Sequence, residues 1–289
     1  MLRLATRGSP LARWQAEWVT LALGHPTELV IVDTTGDRRP DVALSVIGGQ
    51  GVFVKEVQAA VLEGRADAAV HSAKDLPSTT DRRLALAAIC IRDDPRDALV
   101  GATLAGLPLG GRVATGSVRR KAFLANLRPD LVFEDLRGNI ATRLAKADGF
   151  DAIVMAVAAL RRLGLADRIT EALDPEVFVP QVGQGAIAIE CRLDDAATRA
   201  ALASIDDPST RWAVEAERAF LATIGTGCSL PVGAYATRPG GLRAAIASPD
   251  GATVLRHHDP GDGGDAVDLG RRVATHLLEA GGSSLLRGT

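Results

Sequence analysis

The stretch DAAVHSAKDLP, from Asp67 to Pro77, sets a short apolar run against a group of polar side chains able to do acid–base or electrostatic work. Residues 67–70 have the composition of a strand, and Pro77 ends the segment. His71, Ser72, Lys74 and Asp75 therefore fall at the carboxyl end of that strand, the edge at which open α/β sheets bind ligands. A Lys–Asp pair in a turn is common and says little alone. Its company says more. Arginines recur at similar strand ends, and one cysteine stands between small residues at Gly227-Cys228-Ser229.

These residue types point to the binding of carboxylates. A guanidinium fork matches a carboxylate bidentately and keeps its charge. Several arginines from different loops imply a ligand with several carboxylates. A thiol among small residues can be approached closely, so Cys228 is a nucleophile, an attachment point, or a free loop thiol. Ser–His–Asp elbows, H-E-x-x-H and EF-hand loops are absent. His25, His257, His258 and His276 read as bystanders, and His71, better placed, reads as structural sooner than catalytic.

The chain's 289 residues suffice for two or three domains, and 47% apolar with 24% charged residues is the balance of a globular protein. Aromatics make up 3% and the net charge is −2, which argues against nucleic acid as partner. Between Arg112 and Arg168, however, eleven basic residues face six acidic ones, a local excess of +5 that suits a small anion. Three cysteines without C-x-x-C spacing exclude a disulfide framework and predict no metal site; Cys90 and Cys191 read as core residues. Arg3 and Arg7 interrupt any N-terminal apolar segment, and the longest apolar run, 152–160, is too short to span a bilayer. A cytoplasmic protein is expected.

The elements that must position these groups can be read from the pattern. A strand at 2–6 leads through Arg7 to a helix with Ser9 as N-cap and Pro10 at its first position, ending near Leu23. Strands are expected at 28–33 and 84–91, a helix at 53–63, and a loop at 34–46. The glycine cluster at 48–51 is neither a Walker A loop nor G-x-G-x-x-G and reads as a hinge loop. The charge run at 93–97 marks a crossing between domains. A second α/β series comes next: a strand at 112–115, a helix opened by Ser117, a strand at 131–134, a helix holding Arg143, a strand at 151–157, and a helix closed by Arg161 and Arg162. Arg119, Arg120 and Lys121 in a first helical turn oppose the helix dipole, which marks them as site candidates. Arg137 likewise comes just after a strand end. Beyond a loop at 179–185 come a strand at 186–191, a long helix from Pro208 to about Ile224, three consecutive strands within 232–257 and a last helix at 266–280.

The chain resembles the porphobilinogen deaminase family over essentially its whole length. The motifs that carry the likeness are ATRGSPLA (5–12), GGQGVFVKE (48–56), AVHSAKDLP (69–77), DPRDA (94–98), GSVRR (116–120), LRGN (136–139), VGQGA (182–186) and GCSLPVG (227–233), all in order. The resemblance implies two α/β, doubly wound domains like those of periplasmic binding proteins, flanking a cleft, and a small α+β domain with an antiparallel sheet. Their expected boundaries are 1–92 with 181–205, 93–180, and 206–289. It implies a dipyrromethane cofactor joined to Cys228 by a thioether. Porphobilinogen units are then added to it with loss of ammonia, and a linear tetrapyrrole is released. By the same resemblance Asp75 is the catalytic carboxylate, which stabilises the developing cation. Arg7, Ser9, Lys74, Ser117, Arg119, Arg120, Arg137, Arg143 and Arg162 bind acetate and propionate groups, and Gln184 lines the cleft. A monomer without nucleic-acid or membrane partner is expected. Val46 and Gln50 stand where the family pattern leads one to expect lysines, which weakens any role of that loop in supplying cations. Two other classes fit parts of the pattern: a non-catalytic solute-binding protein, which leaves Cys228 without purpose, and an unrelated cysteine-nucleophile transferase, for which no base near Cys228 is evident.

Overall fold

In a computed structural model, which describes residues 1–34, 54–225 and 230–287, the chain folds into two compact units. Residues 1–93 with 186–212 make the first, and residues 94–185 with 213–289 the second. The first change-over falls in the charge run at 93–97. The loop at 35–46, the glycine cluster, Val46, Gln50 and Cys228 lie outside the described residues.

The first unit opens with β1 (Leu2–Arg7), α1 (Pro10–Leu23), β2 (Thr27–Val32), α2 (Lys55–Leu62), β3 (Ala68–Ser72) and β4 (Leu84–Ile89). The second continues with β5 (Asp97–Val100), β6 (Arg112–Ala114), α3 (Val118–Leu127), β7 (Val132–Glu134), α4 (Ile140–Ala145), β8 (Ala152–Ala156), α5 (Val157–Arg162) and β9 (Glu171–Ala172). The chain then returns with β10 (Ile187–Arg192), α6 (Ala196–Leu202) and α7 (Pro208–Ile224), and closes with β11 (Val232–Thr237), β12 (Gly241–Ala247), β13 (Val254–Asp259) and α8 (Ala266–Leu277).

Both large sheets have five strands and one plan, β2-β1-β3-β10-β4 and β7-β6-β8-β5-β9. In each, three strands run parallel, and the fourth is antiparallel to its neighbours. That antiparallel strand, β10 or β5, is the first that the chain makes after passing over from the other unit. Period-two alternation explains why both faces are covered. In β1 and β3, Leu4, Ala68 and Val70 join a core with Ala16 and Val19 of α1, while Ala5 and Ala69 join one with Val57, Ala60 and Val61 of α2. In β6 and β8, Val113, Ala152 and Val154 face Phe123 of α3, whereas Ala114, Ile153 and Met155 face Leu144 and Leu160.

The third sheet, β11-β12-β13, is antiparallel throughout. Its Ala245 and Ala247 lie in the same cluster as Leu99, Phe123 and Phe178, which ties residues 213–289 into the second unit. The expected α/β plan with a small antiparallel sheet is thus the fold. The sequence reading did not anticipate β5, β9 or α6. β5 hides behind the charge run because its first residue is a fully buried aspartate, β9 has only two residues, and α6 has seven. The strand expected at 84–91 ends at Ile89, with Cys90 buried just beyond it.

Gly270 lets α8 lie directly on α7. A Cβ there would overlap the Ala216 carbonyl oxygen and stand 2.8 Å from both Ala219 Cβ and the Phe220 nitrogen. Gly270→Ala should therefore destabilise the second unit by about 1–3 kcal/mol through overpacking, and calorimetry should show its thermal midpoint lowered. An unchanged midpoint would mean that this helix contact is loose.

Candidate active site

In the first unit, β1 and β3 are parallel neighbours, so Arg7 and the residues after Ser72 emerge at one sheet edge. Ser9 caps α1 as expected: its Oγ accepts the Ala12 N–H at 3.3 Å, and Pro10 occupies a position where no amide proton is missed. After β3 the chain makes a single 3₁₀ turn, Ala73–Asp75. Its start is fixed by the Ala73 N–H on the Ala186 oxygen at 3.0 Å and its end by the buried Leu76. This places Asp75, half-buried, in a cavity also lined by Arg7, Ser9, Gln15, His71 and Ser72. Lys74, on the same turn, does not line that cavity.

Three polar side chains that line the cavity, Gln15, His71 and Ser72, have close polar neighbours. Buried Gln15 donates through Nε2 to Ser72 Oγ at 2.8 Å. His71 is buried with Nε2 at 3.2 Å from Glu190 Oε2, without the alignment of a hydrogen bond, while Gln58 Nε2 donates to that same oxygen at 2.8 Å. The sequence reading missed Gln15, Gln58 and Glu190. Glu190 in particular sits in an apolar strand, where an acid is a signal because it must find partners once buried.

In the second unit, Ser117 caps α3, its Oγ accepting the Arg120 N–H at 3.4 Å. The side chains of Arg119 and Arg120 turn inward and are only 3% and 7% exposed. Both meet Asp97, which is fully buried. Arg119 Nη2 donates to Asp97 Oδ2 at 2.7 Å, and Arg120 donates to Oδ1 through Nε and Nη2 at 2.9 and 2.6 Å. Gln184 Nε2 adds a bond to Oδ1 at 3.1 Å and one to the Pro95 oxygen at 2.7 Å. Arg119 also lies over the rings of Phe123 and Phe178, 5.9 and 5.6 Å from their centroids. The expected dipole penalty of cations at this helix start is thus offset by a carboxylate that the sequence pattern hides within an irregular charge run.

Burial pushes the Asp97 carboxyl up, but the charges of Arg119 and Arg120 outweigh it and bring it down from 3.8 to about 2. Burial, with Arg120 adding like-charge repulsion, holds the Arg119 guanidinium below its ordinary range despite Asp97.

The other expected arginines bond to further groups. Arg143 Nε donates to the Gly138 oxygen at 2.8 Å, and Arg137 Nη2 pairs with Asp135 Oδ2 at 3.2 Å. Arg162, the last residue of α5 and buried, donates to the Gly185 oxygen at 2.5 Å. The structure therefore brings together Arg7, Ser9 and Asp75 in one unit, and Arg119, Arg120 and Gln184 in the other. Cys90 and Cys191 are buried core thiols, Cys191 pushed up to about 11 by burial. Among the described residues no group of acids, histidines and cysteines forms a metal site, and no helix is long and apolar enough to cross a membrane.

Two five-stranded sheets covered by helices, with a small antiparallel sheet beside the second, define the class as α/β. The chain belongs to the porphobilinogen deaminase family: residues 2–200 match its dipyromethane cofactor binding domain and residues 212–279 its C-terminal domain. Solved structures similar to the chain include a nutrient binding protein from Burkholderia cenocepacia bound to methionine, at 12% identity and a TM-score of 0.44, covering 72% of this chain and 92% of that one. The BvgS VFT2 domain of Bordetella pertussis is 19% identical with a TM-score of 0.40, covering 71% and 85%. Immunogenic lipoprotein A from Vibrio vulnificus is 14% identical with a TM-score of 0.41, covering 71% and 93%.

A carboxylate held at about 2 instead of 3.8 contributes stability that is complete above the higher value and lost as the pH falls through the lower. For Asp97 this is on the order of 2 kcal/mol. Between pH of about 4 and about 2 the thermal midpoint should fall more steeply in the parent protein than in Asp97→Asn. Parallel pH profiles would show that Asp97 is not held in this way.

Proposed function

We propose that the chain is a transferase that condenses four porphobilinogen molecules stepwise, with loss of ammonia, onto a dipyrromethane primer held by Cys228, and releases the linear tetrapyrrole hydroxymethylbilane. Membership of the family supports the role in tetrapyrrole synthesis. The observation that carries the reaction type is the convergence of Asp75 with Arg7 and Ser9 on one cavity at the strand ends of the first unit.

The residues present suit the cofactor. Carboxylate-bearing pyrroles call for guanidinium donors, and the second unit holds two guanidinium groups against one carboxylate, with Arg119 Nε buried and without a partner among the described residues. Ser117, Arg119, Arg120, Arg137, Arg143 and Arg162 are assigned to its acetate and propionate groups and to those of the substrate, together with Lys74, while Gln184 fixes the loop after Pro180. When bound, the dipyrromethane supplies the pyrrole carbon to which the first unit is joined.

The chain's own residues do the rest. Arg7 offers a fork to a substrate carboxylate, and Ser9 keeps the start of α1 in place beside it. The substrate's protonated aminomethyl group leaves as ammonia with the electron pair of the broken carbon–nitrogen bond, and positive charge develops on the pyrrole. The carbon–carbon bond then formed is matched by loss of one ring hydrogen as a proton to solvent. Asp75, a fixed carboxylate with one side to the cavity, stabilises that charge at each addition; a pre-placed anion beside a developing cation needs no reorganisation. The three-domain division at 1–92 with 181–205, 93–180 and 206–289 is part of the proposal, with the cysteine on the third.

Incubation with porphobilinogen, followed by oxidation, should give a coloured porphyrin. Asp75→Asn keeps the side-chain shape and removes the charge, so turnover should fall by at least about a hundredfold with the thermal midpoint unchanged. Near-normal turnover in that variant would contradict the assignment of Asp75.

A further inference from the structure

The charges around Asp97 do not balance. Two guanidinium groups share one carboxylate, which leaves one positive charge in excess in a site where all three side chains are at least nine-tenths buried. Among the described residues the surroundings supply carbonyl oxygens but no second anion: Arg119 Nη1 donates to the Val179 oxygen and Arg120 Nη1 to the Val154 oxygen, each at 2.9 Å. Arg119 Nε points at no acceptor among the described residues. A buried charge without a counter-charge is unfavourable, and such a donor is retained where something else completes it.

Asp97 accepts four hydrogen bonds, three of them from the two arginines. Its Oδ1 takes three donors, two from Arg120 and one from Gln184, and its Oδ2 takes Arg119. It is also the first residue of β5, so both arginines are referred to the backbone of the first strand made after the chain's passage into this unit. Gln184 and the Pro95 oxygen fix the neighbouring segment in the same way. The arrangement holds two forks at a set angle while cancelling only half of their charge.

We infer that Asp97 is a positioning residue, a carboxylate that orients Arg119 and Arg120 and leaves one positive charge to be met by a carboxylate of the bound pyrrole chain. This rests on the proposed function, and it adds a residue that neither reacts nor touches the substrate. Replacing Asp97 by a neutral amide raises the uncompensated charge from one to two, so the unloaded protein suffers most and a bound carboxylate restores more. Replacing Arg119 by glutamine lowers it to zero, so the bound carboxylate restores less. A merely structural ion pair has no reason to produce opposite signs.

The test compares thermal midpoints of the full chain, unloaded from cells that make no porphobilinogen and then loaded by incubation with porphobilinogen, with loading verified by intact mass. The gap between loaded and unloaded midpoints should widen by at least about 4 °C in Asp97→Asn and narrow by a similar amount in Arg119→Gln. A variant that gains no mass is scored as a gap of zero, which supports the inference for Arg119→Gln and overturns it for Asp97→Asn. If unloaded Asp97→Asn does not fold, Arg119→Gln alone decides: narrowing supports the inference, and an unchanged or wider gap overturns it. A parent chain that itself gains no mass and yields no porphyrin would overturn the proposed function instead, a result visible before any variant is made.

Discussion

Taking a carboxylate out of water costs several kcal/mol unless charges and hydrogen bonds replace its solvent. Asp97 meets that demand with two arginines and a glutamine, and the second unit is arranged around the result. Helix α3 must start where Arg119 and Arg120 can reach β5, which is why Ser117 caps it there. Phe123 and Phe178, edge to face at 5.7 Å, wall the guanidinium of Arg119 from water. Gln184 brings the VGQGA loop to the same carboxylate. A second buried acid, Glu217 of α7, holds that loop from its other side by accepting the Gly183 N–H at 2.7 Å, and holds β11 through the Ala236 N–H at 2.9 Å. Acids buried in full and hydrogen-bonded in this manner fix one conformation of the segments they join.

The first unit places its chemistry differently. Asp75 is half-buried and, among the described residues, makes no ion pair; it sits on one turn of 3₁₀ helix at the end of a central strand, open to a cavity. The strand brings it there, and the antiparallel neighbour β10 fixes the turn through Ala186. The two units share a sheet plan yet use it for opposite ends, one to present an acid and the other to hold cations against an acid.

Much of this was legible in the sequence, and for physical reasons. Ser9-Pro10 and Asp207-Pro208 are start signals whose caps form as written, with Asp207 Oδ1 accepting the Thr210 N–H at 2.7 Å. Runs such as 152–157 are apolar throughout because both faces of their sheet are covered. Asp75 stood out because a polar cluster ended a strand. Asp97 did not, because an acid within DPRDA looks like part of a solvated turn; only its ALV sequel hinted at a strand, and burial was decided by arginines more than twenty residues away. Local pattern singled out Cys228, Arg119, Arg120 and Arg137, and the likeness to a known family assigned them roles, but neither said that the side chains of Arg119 and Arg120 turn onto Asp97. That depended on a partner chosen by the fold.

The central claim, that pyrroles are assembled on a primer fixed to this chain, has one direct test. A thioether survives denaturation and thiol reductants, unlike a disulfide or a bound ligand. The intact mass of chain purified from a host able to make porphobilinogen should exceed the sequence mass by one two-pyrrole unit, with the addition mapping to the Cys228 peptide. Porphobilinogen should then add species spaced by one deaminated pyrrole. The bare sequence mass, with Cys228 open to alkylation in the unfolded chain, would contradict the account.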